Sequence, residues 1–260
     1  MRVAIMRLPS RAYSVKCGDL GVNEAINLKL ALRQHQQLRG IYRRHGYKIE
    51  LLPPSIKYEA SVFVQDVAFV CKDQALLTNC MSPWRTRESR HRGQIYKALN
   101  KYINVVGQMG LPAELDVGEV VKTDKEYLVG ISKKAAYYGV KQLRKKLDLD
   151  LPIRTVKRKR DGMAHLGSGL SYIGDGYLLA SEYLEGYKFL DRYKVIWIPM
   201  TEENGGNVVR LVDGCLIADA GSPYTVWKLR ELGWDVEAVE MSEYNKANGH
   251  ISCLSINLVT

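Results

Sequence analysis

The chain has 260 residues, 46% hydrophobic and 25% charged, which excludes a disordered or fibrous protein and is enough to bury one large core or two small ones. Its net charge of +10 falls into three separated clusters, at 85–92, 141–146 and 154–160, with no interleaved stacking aromatics. That distribution argues for solvated faces over a nucleic-acid groove and stays compatible with an anionic partner or a carboxylate-bearing substrate.

Taken in chain order, the elements repeat. Residues 2–6 read as a strand, 27–44 as a helix and 48–52 as an extended run. A first hairpin is predicted at 67–70 and 75–78 around Lys72–Asp73, followed by a helix over 87–105. A second spans 119–122 and 126–129, followed by a helix at 133–147 and a strand at 154–157. A third joins 170–173 to 177–180 through Gly174-Asp175-Gly176, with a shorter helix at 182–191 and a strand at 195–198. The fourth joins 208–212 to 215–218 through Asp213-Gly214. After it come a helix at 222–232, with Ser222 placed to cap it and Pro223 at its first position, and a strand at 236–239. Residues 252–259 form a last strand, which with 2–6 would complete a fifth unit. The Gly- and Asp-containing turns tolerate positive φ and mark hairpins. They recur at intervals of roughly forty to fifty residues, the spacing of repeat architectures. The expected fold is therefore α/β, five strand-helix modules closing through the two termini, over a single domain of residues 1–260. An ordinary open α/β sheet is the alternative, and no Gly-rich phosphate loop is present.

No run approaches the eighteen or so apolar residues that span a bilayer. The opening MRVAIMRLPS lacks the apolar block of a secretory leader, so a cytoplasmic setting is expected. The five cysteines, Cys17, Cys71, Cys80, Cys215 and Cys253, are odd in number and widely spaced, with no C-x-x-C pair. They suit a reducing compartment and neither a disulfide framework nor a zinc site.

Four places could carry chemistry. Alternation puts Cys253 on one strand face with Ile251, Ser255 and Asn257, just past a glycine turn, where a thiol is either a small buried hydrophobe or a nucleophile. His165 lies among small residues, where it could act as acid, base or ligand, and no second histidine stands at metal-ligand spacing. Asp66 sits inside an apolar run and must find donors or solvent. Asp116 and Glu119 flank Val117-Gly118 ahead of the second hairpin, a common setting for solvated loop carboxylates.

Together these segments resemble one family. S-V-F-V-Q-D-V-A at 61–68, L-D-V-G-E-V at 115–120, V-G-I-S at 129–132 and H-L-G-S at 165–168 occur in order. N-V-V-R at 207–210 and A-N-G-H-I-S-C-L-S at 247–255 follow, and D-L-G at 19–21 precedes them. Order and spacing are similar to those of the dimethylarginine dimethylaminohydrolases. The resemblance implies the pentein fold, a five-bladed α/β propeller, and a cysteine-dependent hydrolase that cleaves a C–N bond of an arginine-like guanidino substrate without metal or cofactor. It implies Cys253 as nucleophile, His165 as general acid and base, and Asp116 as the carboxylate orienting the histidine. It places Asp66 and the neighbouring Gln65 on the guanidinium, Phe63 along its flat face, Arg85 and Lys134 toward the substrate carboxylate, and Val15 in a lid.

Departures touch the specificity shell. Ala60 stands where the family has Asp, Gln65 where it has Glu, Lys134 (beside Lys133) where it has a second Arg, and Val117 where it has Gly. Lysine keeps the charge and loses the bidentate fork of arginine. An amidinotransferase and a non-catalytic RNA- or ribosome-binding pentein are the competing functions. The sequence leaves the oligomeric state open, a homodimer included.

Overall fold

The computed structural model describes residues 1–15, 24–81, 85, 88, 92–158 and 163–260, with the side chain of Val15 also outside the description. The expected modules are present as five three-stranded sheets. In each, one outer strand runs antiparallel to the central strand and the other runs parallel to it. A parallel neighbour requires a crossover, and this is where the helices lie.

The chain divides into two compact units. The first comprises residues 1–117, 133–150 and 253–260. It holds the sheet β15 (Ile256–Val259), β1 (Arg2–Arg7) and β2 (Lys48–Leu52), and the sheet β3 (Ala68–Cys71), β4 (Gln74–Leu77) and β5 (Asn104–Gln108). Its helices are α1 (Arg11–Val15), α2 (Leu28–Arg44), α3 (Gly93–Leu99) and α4 (Lys134–Lys146). α2 starts where the sequence asks it to, because Asn27 accepts the Leu30 N–H at 3.1 Å. The core here joins Val3 and Ile5 of β1, Val67, Ala75 and Leu77, Leu99 of α3, and Ile256 and Leu258 of β15.

The second unit, residues 118–132 and 151–252, holds three sheets. These are β6 (Val120–Lys122), β7 (Tyr127–Ile131) and β8 (Ile153–Lys157); β9 (Leu170–Gly174), β10 (Tyr177–Ser181) and β11 (Lys194–Ile198); and β12 (Val209–Arg210), β13 (Leu216–Asp219) and β14 (Val236–Val239). Helices α5 (Pro223–Glu231) and α6 (Ser242–Asn245) complete it. One core gathers Leu128, Leu166, Leu170 and Leu178; another gathers Ile173, Leu179, Ile198, Leu216 and Leu229.

Several expectations are corrected. Of the helix expected over 87–105, residues 87 and 89–91 lie outside the described residues, Glu88 is helical and Gly93–Leu99 forms a helix, while residues 104–105 already belong to β5, whose Val105-Val106 pair favours a strand. The segment 182–191 is two 3-10 turns, Glu182–Leu184 and Lys188–Arg192, separated by Gly186 at a φ of 78°. The last strand begins at Ile256, because residues 252–254 coil into a 3-10 turn, so Cys253 does not alternate with Ser255 and Asn257. Those two instead share Tyr42, whose hydroxyl lies 2.7 Å from Ser255 Oγ and accepts from Asn257 Nδ2 at 3.0 Å. Ser222 makes no side-chain cap; the Glu202 carboxylate accepts from the N–H groups of Tyr224 and Thr225 in its place.

Candidate active site

In the first unit the 61–68 segment folds as two successive 3-10 turns, Glu59–Val62 and Val64–Val67, with Phe63 between them. This compact path turns Phe63 and Asp66 inward, and both are buried. The Phe63 ring stands edge-on to Tyr13 at 5.8 Å. Asp66 Oδ2 is ion-paired with Arg85 Nη1, while Asp66 Oδ1 and the neighbouring Gln65 Oε1 are buried acceptors without a protein donor. Unmet buried acceptors are costly, so both call for donors that the protein itself does not supply.

Arg85, 3% exposed, directs its guanidinium into the protein. Nη2 donates to the Phe63 carbonyl at 3.0 Å and Nε to Glu88 at 3.2 Å. Burial alone would lower its pKa, but Glu88, Cys80 and Asp66 outweigh burial and hold it well above the usual value. Lys134 is exposed at the start of α4, with its ammonium 5.8 Å from the centre of the Tyr138 ring. Val15 ends α1, and its side chain, expected in the lid, lies outside the described residues, as do residues 16–18 that follow it. Asp116 is buried and accepts the Met81 N–H at 3.2 Å. Cys253 is a buried thiol in its 3-10 turn.

In the second unit His165 heads the 3-10 turn Leu166–Ser168, its backbone N–H bonded to Ser168 Oγ at 3.2 Å. The imidazole lies against Gly118, where an added Cβ would come within 2.8 Å of His165 Cδ2, so only glycine admits the ring here. The carboxylate beside it is Glu119, with Oε1 3.7 Å from His165 Nδ1. Glu119 is 1% exposed and also meets Arg158 Nη1 at 2.7 Å and the Leu166 N–H at 3.0 Å. Burial alone would raise its pKa; the bonds from His165, Arg158 and Leu166 outweigh burial and keep it below the usual carboxylate value.

Two contributors had no assigned role in the sequence. Glu119 was visible only as one of two turn carboxylates. Asn207 was visible only within N-V-V-R: its Nδ2 donates to the Gly167 carbonyl at 2.6 Å and to Ser252 Oγ at 2.9 Å, and its Oδ1 accepts the Ser252 N–H at 3.2 Å. One amide thus ties the turn that follows His165 to the residue preceding Cys253. Among the described residues no group of three or more His, Cys, Asp or Glu side chains is arranged to hold a metal ion. No described helix is long and apolar enough to cross a membrane.

The chain is similar to the N(G),N(G)-dimethylarginine dimethylaminohydrolase of Streptomyces coelicolor, 28% identical over 256 residues, covering 98% of this chain and 96% of that protein. It is equally similar to the Pseudomonas aeruginosa enzyme of the same name, 28% identical over 227 residues and 87% of each chain. Among solved structures, a cysteine-to-serine variant of the Pseudomonas aeruginosa enzyme complexed with citrulline superposes with a TM-score of 0.84 at 26% identity, covering 98% of both chains. The N-terminal domain of a cyanobacterial arginine dihydrolase matches at a TM-score of 0.81 and 17% identity, covering 99% of this chain and 97% of that one, and shares the fold. No family model matches the chain. The fold is the five-unit α/β pentein of those structures.

Proposed function

We propose that this protein hydrolyses a carbon–nitrogen bond in an arginine-like guanidino compound through a covalent intermediate on Cys253. The observation that carries the reading is the likeness to two dimethylarginine dimethylaminohydrolases, over 98% of this chain for one and 87% for the other, in a chain that has both Cys253 and His165 within the segments that resemble the family.

A guanidinium is planar, cationic and a poor electrophile, so it must be held before it can be attacked. Asp66 Oδ1 and Gln65 Oε1 are the acceptors for its N–H groups, with Phe63 beside them. The Cys253 thiolate adds to the central carbon, and His165 protonates the departing amine or ammonia, leaving a thiouronium on sulfur. His165 then takes a proton from water, whose oxygen attacks the same carbon, and the C–S bond breaks to release a ureido product such as citrulline. Glu119 holds the imidazole in the orientation this needs. Asp116 remains in the proposal as a second carboxylate for the same step. Arg85 and Lys134 are the cations for the substrate carboxylate, and Val15 belongs to the lid. Ala60 in place of Asp weakens the grip on the substrate's α-ammonium group, which bears on arginine against agmatine, and Gln65 in place of Glu removes a negative charge beside Asp66, which bears on the guanidinium itself.

The test is turnover of dimethylarginine, monomethylarginine, arginine and agmatine, read as ureido product and released amine, with Cys253→Ser alongside. Turnover of one panel member, abolished in Cys253→Ser, is the expected result. Absence of turnover across the panel, with a Cys253 thiol that alkylates at the rate of an ordinary cysteine, overturns the reading.

A further inference from the structure

Joined to Arg85 through the Glu88–Arg85 ion pair, but with no residue assigned to the chemistry itself in its described lining, the first unit contains a cavity of about 200 Å³ lined by Arg7, Glu88, Arg92, Gln94, Tyr58 and Ser61, with Val67 and Ile95 as apolar wall. Arg7 is 6% and Arg92 7% exposed, so two guanidinium groups are taken out of water at one place. Such burial is costly unless every N–H finds an acceptor. Some do: Arg7 Nη1 donates to the Pro53 carbonyl at 3.0 Å and to Gln94 Oε1 at 2.6 Å, and Arg92 Nη2 reaches Asn79 Oδ1 and Gln108 Oε1 at 3.4 Å each. Arg7 Nε and Arg92 Nη1 are buried without a protein acceptor.

The carboxylate lining the cavity is Glu88, and it is already ion-paired with Arg85 at 3.2 Å. Burial lowers the pKa of both Arg7 and Arg92, opposed only partly by Glu88 at Arg7 and by Cys80 and Glu88 at Arg92. The described lining of the cavity therefore combines two guanidinium groups, each with one donor lacking a protein acceptor, a single carboxylate, an amide and hydroxyl groups. Forked guanidinium donors match the oxygens of a carboxylate or a phosphate. At about 30 Å³ per water in the liquid, the volume is large enough for either with room beside it.

We propose that this cavity is a binding site for a small oxyanion, of carboxylate or phosphate type, held between Arg7 and Arg92. It is separate from the guanidino chemistry and is read by binding, so its outcome does not depend on turnover.

The experiment is calorimetric titration of the full chain with inorganic phosphate and, separately, with malonate, at constant ionic strength set by chloride. One saturable site is expected for at least one of the two, and the arm that saturates identifies the source chemistry. Arg92→Lys, which keeps the charge and loses the fork, is expected to weaken that binding by about tenfold or more. Crystals of the unaltered protein soaked in selenate locate the site independently of any variant, by an anomalous peak within hydrogen-bond distance of Arg7 Nε and Arg92 Nη1. No saturable heat with either anion, or selenate found only on surface lysines, overturns the proposal.

Discussion

A carboxylate as enclosed as Glu119 persists only because three donors meet it, and that makes it the most informative side chain to change. Glu119→Gln leaves Arg158 buried without its ion pair and removes the anion beside His165. Breaking a buried pair from one side costs about 3–5 kcal/mol, to be read by guanidinium denaturation. If the proposed chemistry holds, kcat falls together with kcat/KM, by about tenfold or more. Asp116→Asn, which keeps an acceptor for the Met81 N–H, separates the two carboxylates: a larger loss of kcat there than in Glu119→Gln returns the orienting role to Asp116. His35 provides a different residue-scale test. It is fully buried in α2, and burial drives its pKa down to about 3 from an ordinary 6.5. The folded state thus binds fewer protons than the unfolded state between those values. Its contribution to stability is present above about pH 6.5 and is lost as pH falls toward 3, at roughly 1.4 kcal/mol per pH unit. Between pH 7 and 4.5 the unaltered protein should lose roughly 2–3 kcal/mol more than His35→Leu in matched urea titrations.

At the scale of elements, helix starts show how local signals and long-range contacts divide the work. Asn27 caps α2 as a sequence reading expects, with an acceptor three residues before the N–H it binds. At α5, Ser222 occupies the same kind of position and leaves the first turn to Glu202, which accepts from Tyr224 N–H at 2.6 Å, Thr225 N–H at 2.9 Å and Thr225 Oγ1 at 2.8 Å. A carboxylate at a helix N-terminus also meets the positive end of the helix dipole. Glu202→Ala should therefore cost about 1–2 kcal/mol, and Ser222→Ala only a few tenths, by thermal or urea unfolding. A reversed order would show that the cap runs through the serine after all.

For the molecule as a whole, the two chain ends are one element. β15 pairs antiparallel with β1 from Arg2 opposite Val259 to Ile5 opposite Ile256, and β1 pairs parallel with β2. Ile256 and Leu258 are buried in the core of the first unit. Deleting residues 256–260 strips two aliphatic side chains worth about 1.5–3 kcal/mol each and exposes an edge of β1. Against a total stability of roughly 5–15 kcal/mol, the midpoint should fall by roughly 10 °C or more in a thermal melt. A melt unchanged by the deletion would mean that β1 and β2 stand without the C-terminal strand.

The repeat itself was legible in the sequence. Each hairpin announces itself by turn residues flanked by apolar runs, signals that act over a few residues and survive any context, and the joining of residues 2–6 to 252–259 followed from needing a fifth strand pair. Helix spans at 27–44 and 133–147 were legible for the same reason, since an apolar stripe at helical spacing is a local property. The placement of the chemistry was not. Glu119 meets Leu166 across 47 residues, Arg85 meets Asp66 across 19, and Asn207 meets Ser252 across 45. No periodicity relates such positions. Residues 252–254 take a 3-10 path where alternation suggests extended chain, and Cys253 is buried in that turn. Sequence determined the modules and supplied the reactive side chains; tertiary packing decided which carboxylate the histidine meets, where the arginines turn, and which acceptors are left open.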